Sequence, residues 1–292
     1  MKAFIFTGQG SQFVGMGKEL YETSDHAREF FERSDDVLGF NLSDLMFDGD
    51  PEELRKTMYA QPAIFLHSIV IAKTTREFKP DMIAGHSLGE ISALVAARSL
   101  SFGEGLRLVN ARGIAMQKAC EASDSGMAAV LGLEDEEVEE VCAAITEEIV
   151  VPANYNSPGQ LVISGTKKGI EIASVKLVEA GARRVVPLKV AGAYHSKLME
   201  PALADYKKTL DSFVFKEPIC PIFQNVDAEP TMDPEVIREK LYKQITAPVL
   251  WKQTIENMVE EGARNFYEIG PKAVLTGMVR KITGREMTVA LT

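Results

Sequence analysis

Cysteine is scarce in this chain: Cys120, Cys142 and Cys220 are the whole set, 22 and 78 residues apart, with no C-x-x-C pair among them. So odd and scattered a set excludes a disulfide scaffold and fits buried free thiols in a reducing compartment better than a metal or catalytic role. Long apolar runs are lacking as well. No stretch approaches the roughly 20 residues of a membrane span, and residues 1–8 are apolar for too short a length to be a signal peptide. Positive charge is in deficit, with 32 Lys and Arg against 42 Asp and Glu for a net charge of −10, which argues against nucleic acid or an anionic membrane as the main partner. Repeats and low-complexity tracts are absent too. What remains is a chain of 292 residues, 46% hydrophobic and 25% charged, a globular composition long enough for one large domain or two moderate ones. A soluble, cytoplasmic protein is expected.

Hydrophobic periodicity divides the chain. Residues 3–7 form a short apolar, aromatic run stopped by Gly8-Gln9-Gly10, which reads as a buried strand feeding a glycine-rich turn. A long helical pattern is expected to open at Gln61-Pro62-Ala63, with Pro62 in its first turn. Residues 82–84 predict a second strand ending in Gly85-His86-Ser87-Leu88-Gly89, with helices over 91–100 and 104–121. Strand, tight turn and helix in repetition mark an α/β layered domain. The pattern then changes: strand 126–133, helix 134–144, strand 150–155, a turn at Ser157-Pro158-Gly159-Gln160, strand 161–164, helix 166–180 and strand 184–188. That β-α-β-β-α-β order predicts a ferredoxin-like unit. The expected organisation is therefore a catalytic domain of residues 1–123 and 192–292, interrupted by a small inserted domain of residues 124–191. Beyond it, helices over 196–210, 234–243 and 251–261 alternate with short strands at 222–225 and 265–269.

Gly85-His86-Ser87-Leu88-Gly89 matches G-x-S-x-G, the nucleophile elbow, in which flanking glycines let a serine sit on a sharp strand-to-helix turn. The motif is short, but its position between an apolar run and a strong helix is the context the chemistry needs. A serine hydroxyl attacks only when a base takes its proton, and the chain offers four histidines. His26 lies on a charged helix face and His67 in an apolar helix, where a core histidine is the ordinary reading. His86 adjoins Ser87 and leaves the turn in another direction, so it suits buttressing. His195, in the loop Gly192-Ala193-Tyr194-His195-Ser196, is the best base. Between Ser87 and His195 the aspartates are Asp124 and Asp135, and neither sits at a convincing strand end. A Ser-His dyad held by a carbonyl or amide is expected in place of a full triad. The backbone N–H of Leu88 is the standard first oxyanion donor, and the turn at Gly8-Gln9-Gly10 could offer a second from Gln9. A phosphate loop is the alternative for that turn, yet G-x-G-x-x-G would need glycine at Phe13 and a Walker pattern glycine at Gln12. Arg112 lies mid-helix; it is either a solvated charge or a bidentate clamp for a substrate carboxylate, and patterning alone does not decide.

Six motifs in order carry a resemblance: Phe6-Thr7-Gly8-Gln9-Gly10-Ser11-Gln12, Gly85-His86-Ser87-Leu88-Gly89-Glu90, Arg112-Gly113, Asn154-Tyr155-Asn156-Ser157-Pro158-Gly159-Gln160, His195-Ser196-Lys197-Leu198-Met199 and Tyr267-Glu268-Ile269-Gly270-Pro271. Over essentially its whole length the chain resembles the bacterial malonyl-CoA:acyl carrier protein transacylases, the acyltransferases of type II fatty acid synthesis. The resemblance implies an α/β-hydrolase-like large domain with an inserted ferredoxin-like small domain. It implies Ser87 as acylated nucleophile, His195 as base, and the N–H groups of Gln9 and Leu88 as oxyanion hole. It matches Arg112 to the arginine that pairs with the malonyl carboxylate, and Gln244 to the position whose backbone carbonyl orients the histidine. Gln61 and Asn156 match further positions near the site. The substrates implied are malonyl-CoA and holo acyl carrier protein, with no metal or cofactor and with the chain acting as a monomer. The family often has phenylalanine or serine where this chain has Tyr194. The string Gly192-Ala193-Tyr194-His195 is nearer the malonyl-type pattern than the Tyr-Ala-Ser-His associated with methylmalonyl units. Arg183, Arg184, Lys189 and Lys197 cluster in sequence near His195 and offer a basic patch for an acidic carrier protein, or only a solvated charge cluster. A serine esterase or thioesterase, and a non-catalytic scaffold that binds carrier protein, are the rival readings.

Overall fold

A strand buried on both faces sends alternate side chains into two different cores, and the N-terminal strand does so. The computed structural model describes residues 1–76, 78–286 and 288–292. Its strands are β1 (Lys2–Phe6), β2 (Met82–Gly85), β3 (Ser125–Leu131), β4 (Val150–Ser157), β5 (Gln160–Thr166), β6 (Arg184–Pro187), β7 (Ile222–Phe223), β8 (Pro230–Thr231), β9 (Asn265–Ile269) and β10 (Thr288–Leu291). Six form one sheet in the order β10-β9-β1-β2-β7-β8, parallel throughout except where β8 runs antiparallel to β7. Phe4 and Phe6 face a large core built on the helix Thr57–Thr74, while Ala3 and Ile5 face a smaller one with Trp251, Ile255 and Met258. The helix Thr57–Thr74 is apolar around its whole circumference, as its central position requires.

The remaining four strands make an antiparallel sheet in the order β4-β5-β3-β6, with helices Asp135–Ala143 and Lys167–Glu179 as its crossovers and a core of its own. This is the ferredoxin-like arrangement, and with the parallel sheet it gives the fold expected from the sequence: an α/β-hydrolase-like large layer and a ferredoxin-like small one. The two sheets meet where β4 bulges. Asn154 bridges to Val249, and the Tyr155 N–H donates to the Val249 carbonyl at 2.9 Å. That seam places Asn156 beside the loop that follows β2. Among the described residues no helix is long and apolar enough to cross a membrane.

Three local expectations are corrected. The helix around Pro62 begins at Thr57, a turn earlier than expected, so Pro62 lies inside it; the first turn is built by Tyr59 and Ala60 donating to the Lys56 carbonyl. The helix expected from Ser196 splits into a 3-10 turn, Lys197–Met199, and the helix Glu200–Leu210, since the Ser196 hydroxyl caps the turn at Leu198. The strand expected over 222–225 stops at Phe223, because Gln224 and Asn225 turn inward to buried polar partners. The helix Thr276–Thr283 and the edge strands β8 and β10 lie beyond what periodicity revealed.

Candidate active site

Ser87 leaves β2 with a φ of +53°, in the left-handed region that costs a non-glycine residue energy, and the helix Gly89–Ala96 starts two residues on. The turn is this tight because its glycines leave no room for side chains: a Cβ at Gly85 would strike the backbone of Gly89, and one at Gly89 would strike the Phe6 carbonyl. The His86 N–H donates to that same Phe6 carbonyl at 2.9 Å, tying the elbow to β1. A Cβ at Gly8 would lie 2.6 Å from the His86 carbonyl oxygen, so the turn after β1 packs directly against the elbow. Sequence positions 8–10 and 85–89 thus become one surface.

The Ser87 Oγ lies 2.8 Å from His195 Nε2. His195, itself at a φ of +57°, turns its Nδ1 to the carbonyls of Gln244 at 2.9 Å and Ala247 at 3.1 Å. Those acceptors require Nδ1 to carry the proton, which leaves Nε2 free to accept from the serine. Burial first, and then the charge of Arg112, push the His195 imidazolium down to about 3, so the ring is a neutral base at physiological pH. Among the described residues no carboxylate takes part in orienting it.

Arg112 projects from the helix Phe102–Glu121 and is 1% exposed, so it is no solvated charge. Its Nη1 donates to Gln61 Oε1 at 2.8 Å, and its Nη2 donates to Ser87 Oγ at 3.1 Å and to Gln244 Oε1 at 2.9 Å. The Gln244 side chain also donates to the Ser87 carbonyl at 3.1 Å. Gln61, Ser87, Arg112, His195 and Gln244 are therefore one contiguous network. Asn156 is brought near by a different route: its Oδ1 meets His86 Nε2 at 2.9 Å, and the His86 ring packs on Trp251 at 5.4 Å. His86 buttresses the elbow, and burial lowers its basicity. The N–H groups of Gln9 and Leu88 have no acceptor among the described residues, whereas the Ser87 N–H is taken by Asn225 Oδ1 at 2.7 Å.

A cavity of about 130 Å³ opens over this network, lined by Gln9, Ser87 and His195 from the large layer and by Met127, Asn154 and Leu188 from the small one. Tyr194 closes one side, its hydroxyl bonded to the Thr57 hydroxyl and accepting from Gln9 Nε2 at 3.4 Å; burial pushes its phenol up to about 12. Arg183, Arg184, Lys189 and Lys197 are all exposed, and Lys189 lines the cavity mouth. Two functional-looking residues escaped the sequence reading. Asn225 and Glu90 are both fully buried beneath the elbow, and Glu90 accepts from Gln224 Nε2 and the Asn225 N–H, each at 2.8 Å. A carboxylate at the second position of the helix after the elbow was the available signal, and it resembles an ordinary first-turn acid.

Residues 3–290 match the acyl transferase domain family. The chain is 46% identical over 293 residues to a malonyl CoA-acyl carrier protein transacylase of Bacillus subtilis (strain 168), covering 99% of this chain and 92% of that protein. Its fold superposes with a TM-score of 0.95 on an acyl carrier protein S-malonyltransferase from Vibrio cholerae, at 40% identity and covering 100% of this chain and 96% of that one. A malonyl-transacylase solved in complex with its type II PKS acyl-carrier protein superposes at 0.94, with 38% identity and 99% and 94% of the two chains covered.

Proposed function

The chain belongs to the malonyl CoA-acyl carrier protein transacylases of the acyl transferase domain family, and from that premise we propose that it moves malonyl groups from malonyl-CoA to the phosphopantetheine thiol of holo acyl carrier protein, for fatty acid biosynthesis, through an ester on Ser87. The observation that carries this reading is the Ser87 hydroxyl held between His195 Nε2 at 2.8 Å and Arg112 Nη2 at 3.1 Å. A base and a fixed cation on one nucleophilic oxygen suit an acyl donor that ends in a carboxylate.

In the first half-reaction His195 Nε2 takes the Ser87 proton as Oγ attacks the thioester carbonyl. The Arg112 guanidinium exchanges its serine contact for the malonyl carboxylate, keeping Gln61 and Gln244 as fixed partners. The tetrahedral oxyanion forms against the Gln9 and Leu88 N–H groups, which have no other acceptor among the described residues and need no rearrangement to serve it. Collapse breaks the C–S bond, and His195 returns the proton to the leaving coenzyme A thiol. The carrier thiol then attacks the serine ester and the same proton path runs in reverse. One thioester is exchanged for another, so neither a resident cofactor nor a metal is called for. The proposal takes the chain to act as a monomer, and the three free cysteines suit a cytoplasmic setting. The exposed cations Arg183, Arg184, Lys189 and Lys197 offer the acidic carrier protein a local basic surface on a chain of net charge −10.

Intact-protein mass after brief mixing with malonyl-CoA, and again after adding holo acyl carrier protein, tests the reading. A malonyl adduct that requires Ser87, persists in water and passes to the carrier is the expected result. An adduct lost to water before carrier is added would mark a hydrolase, and no adduct with any acyl-CoA would leave a carrier-binding scaffold.

A further inference from the structure

Strand β7 ends after two residues, and the chain then folds Asn225 under the nucleophile, where it is 0% exposed. Every polar atom of its carboxamide is engaged. Nδ2 donates to the Gly85 carbonyl at 2.7 Å, while Oδ1 accepts from the Ser87 N–H at 2.7 Å and from Gln244 Nε2 at 3.2 Å. Its backbone is held from below, the N–H donating to Glu90 Oε2 at 2.8 Å and the carbonyl accepting from the Leu250 N–H at 2.9 Å.

These bonds fix an order of orientations. The Gly85 carbonyl accepts only, so the amide nitrogen of Asn225 must face it, and Oδ1 must face the other way. Oδ1 accepts only, so Gln244 must present Nε2 to it. Gln244 Oε1 is then turned toward Arg112 Nη2, at 2.9 Å. A flip at Asn225 would set donor against donor at Gln244 and at the Ser87 N–H together.

We propose that Asn225 is a positioning residue for acyl transfer: its carboxamide sets the turn that carries Ser87 and, through Gln244, the aim of Arg112. This role rests on the reading of Ser87 and Arg112 given above. It also explains why the Ser87 N–H is unavailable to an oxyanion while that of Leu88 is open.

The test compares the full-length wild type with Asn225→Asp and Asn225→Ala in rapid-quench formation of the serine ester from malonyl-CoA and from acetyl-CoA. Asn225→Asp keeps the shape and both acceptor contacts but sets a carboxylate oxygen against the Gly85 carbonyl. At pH 8 it should acylate at least tenfold more slowly with malonyl-CoA, with a smaller loss for acetyl-CoA and a lowered malonyl preference. Protonation gives the introduced carboxyl an O–H that restores the donor to Gly85, so the rate should recover toward pH 5.5. Glu90, His86, Arg112 and His195 are the charged and titratable groups around that position; burial and the Glu90 carboxylate favour the protonated form, and the Arg112 guanidinium opposes it. Asn225→Ala combined with Gln244→Ala should lose less than the product of the single losses. Should the alanine variant fail to fold, the aspartate variant and its pH profile decide alone. Wild-type speed in Asn225→Asp at pH 8, or a loss equal for both acyl donors and indifferent to pH, overturns the role of Asn225 and leaves the transacylase reading intact. A wild type that forms no serine ester overturns both.

Discussion

Arg112 Nη2 donates to Ser87 Oγ across 3.1 Å, so the serine hydroxyl oxygen rests between a guanidinium and the imidazole of His195. The guanidinium is 1% exposed, and its bonds end on neutral oxygens of Gln61, Ser87 and Gln244. The buried carboxylate of Glu90 is occupied by Gln224 and the Asn225 N–H. A buried cation without a directly bonded anion is costly, and burial lowers its proton affinity accordingly. A carboxylate delivered by a substrate would relieve that cost, and on the proposed role of Arg112 this favours malonyl over acetyl donors.

Replacing Arg112 with alanine should therefore separate the two donors. Breaking a buried ion pair costs about 3–5 kcal/mol, and 1.4 kcal/mol is tenfold in rate. The kcat/KM for malonyl transfer should fall by roughly a hundredfold or more, and acetyl transfer, which has no carboxylate to pair, should fall much less. Steady-state rates with both acyl-CoAs measure the ratio; equal losses would remove the clamp role.

Gly8→Ala probes the second strand-to-turn junction. The added Cβ would lie 2.6 Å from the His86 carbonyl oxygen, which belongs to the elbow backbone and cannot yield as a flexible side chain could. The turn must move away from Ser87 and carry the Gln9 N–H with it. Loss of one oxyanion donor is worth about 10²–10³ in kcat, and a displaced donor should forfeit about tenfold or more while KM for malonyl-CoA changes little. Gly126→Ala, where a Cβ meets nothing within 4 Å, is the matched control and should behave as wild type.

Much of this site was legible because its constraints are local. The elbow announces itself through glycines that only a crowded strand-to-helix turn requires, and His195 emerged from comparison with three histidines in plainer surroundings. Arg112 was undecidable by composition, yet it stands four residues after Leu108 and four before Met116, on the buried stripe of its helix. Asn225 and Glu90 were invisible for a different reason. The Asn225 contacts to Ser87 and Glu90 span 138 and 135 positions, and nothing in the local pattern marks a strand end that turns inward. Pro62 misled because proline favours a first helical turn, whereas here the helix had already started at Thr57. The β-α-β-β-α-β order was readable from periodicity alone. The order of the parallel sheet was not, since β1 lies between β2 and β9, strands from opposite ends of the chain.

Burial lowers the basicity of His67, His86 and His195, and two of them, His67 and His195, give the protein separable acid responses. Burial holds His195 at about 3 and His67 at about 4, against an ordinary 6.5. Both are neutral when folded and free to protonate when unfolded, so between pH 6.5 and about 4 the unfolded chain binds more protons. The contribution of these two histidines to stability is full above pH 6.5 and declines as pH falls through that window. His67 alone should account for roughly 3 kcal/mol of the loss once fully titrated. Its Nδ1 has no hydrogen-bond partner among the described residues, so His67→Leu should flatten the decline, as read by denaturant midpoints at pH 7.5 and 5, and leave acylation unchanged. The rate of Ser87 malonylation follows the other histidine. Because the His195 ring stays neutral, the rate should be flat from pH 8 to about 5, where an ordinary histidine base would already have lost most of its activity. An acid limb centred near pH 6.5 would mean that the imidazole is far better solvated in the working enzyme than its burial between Arg112 and the Gln244 carbonyl allows.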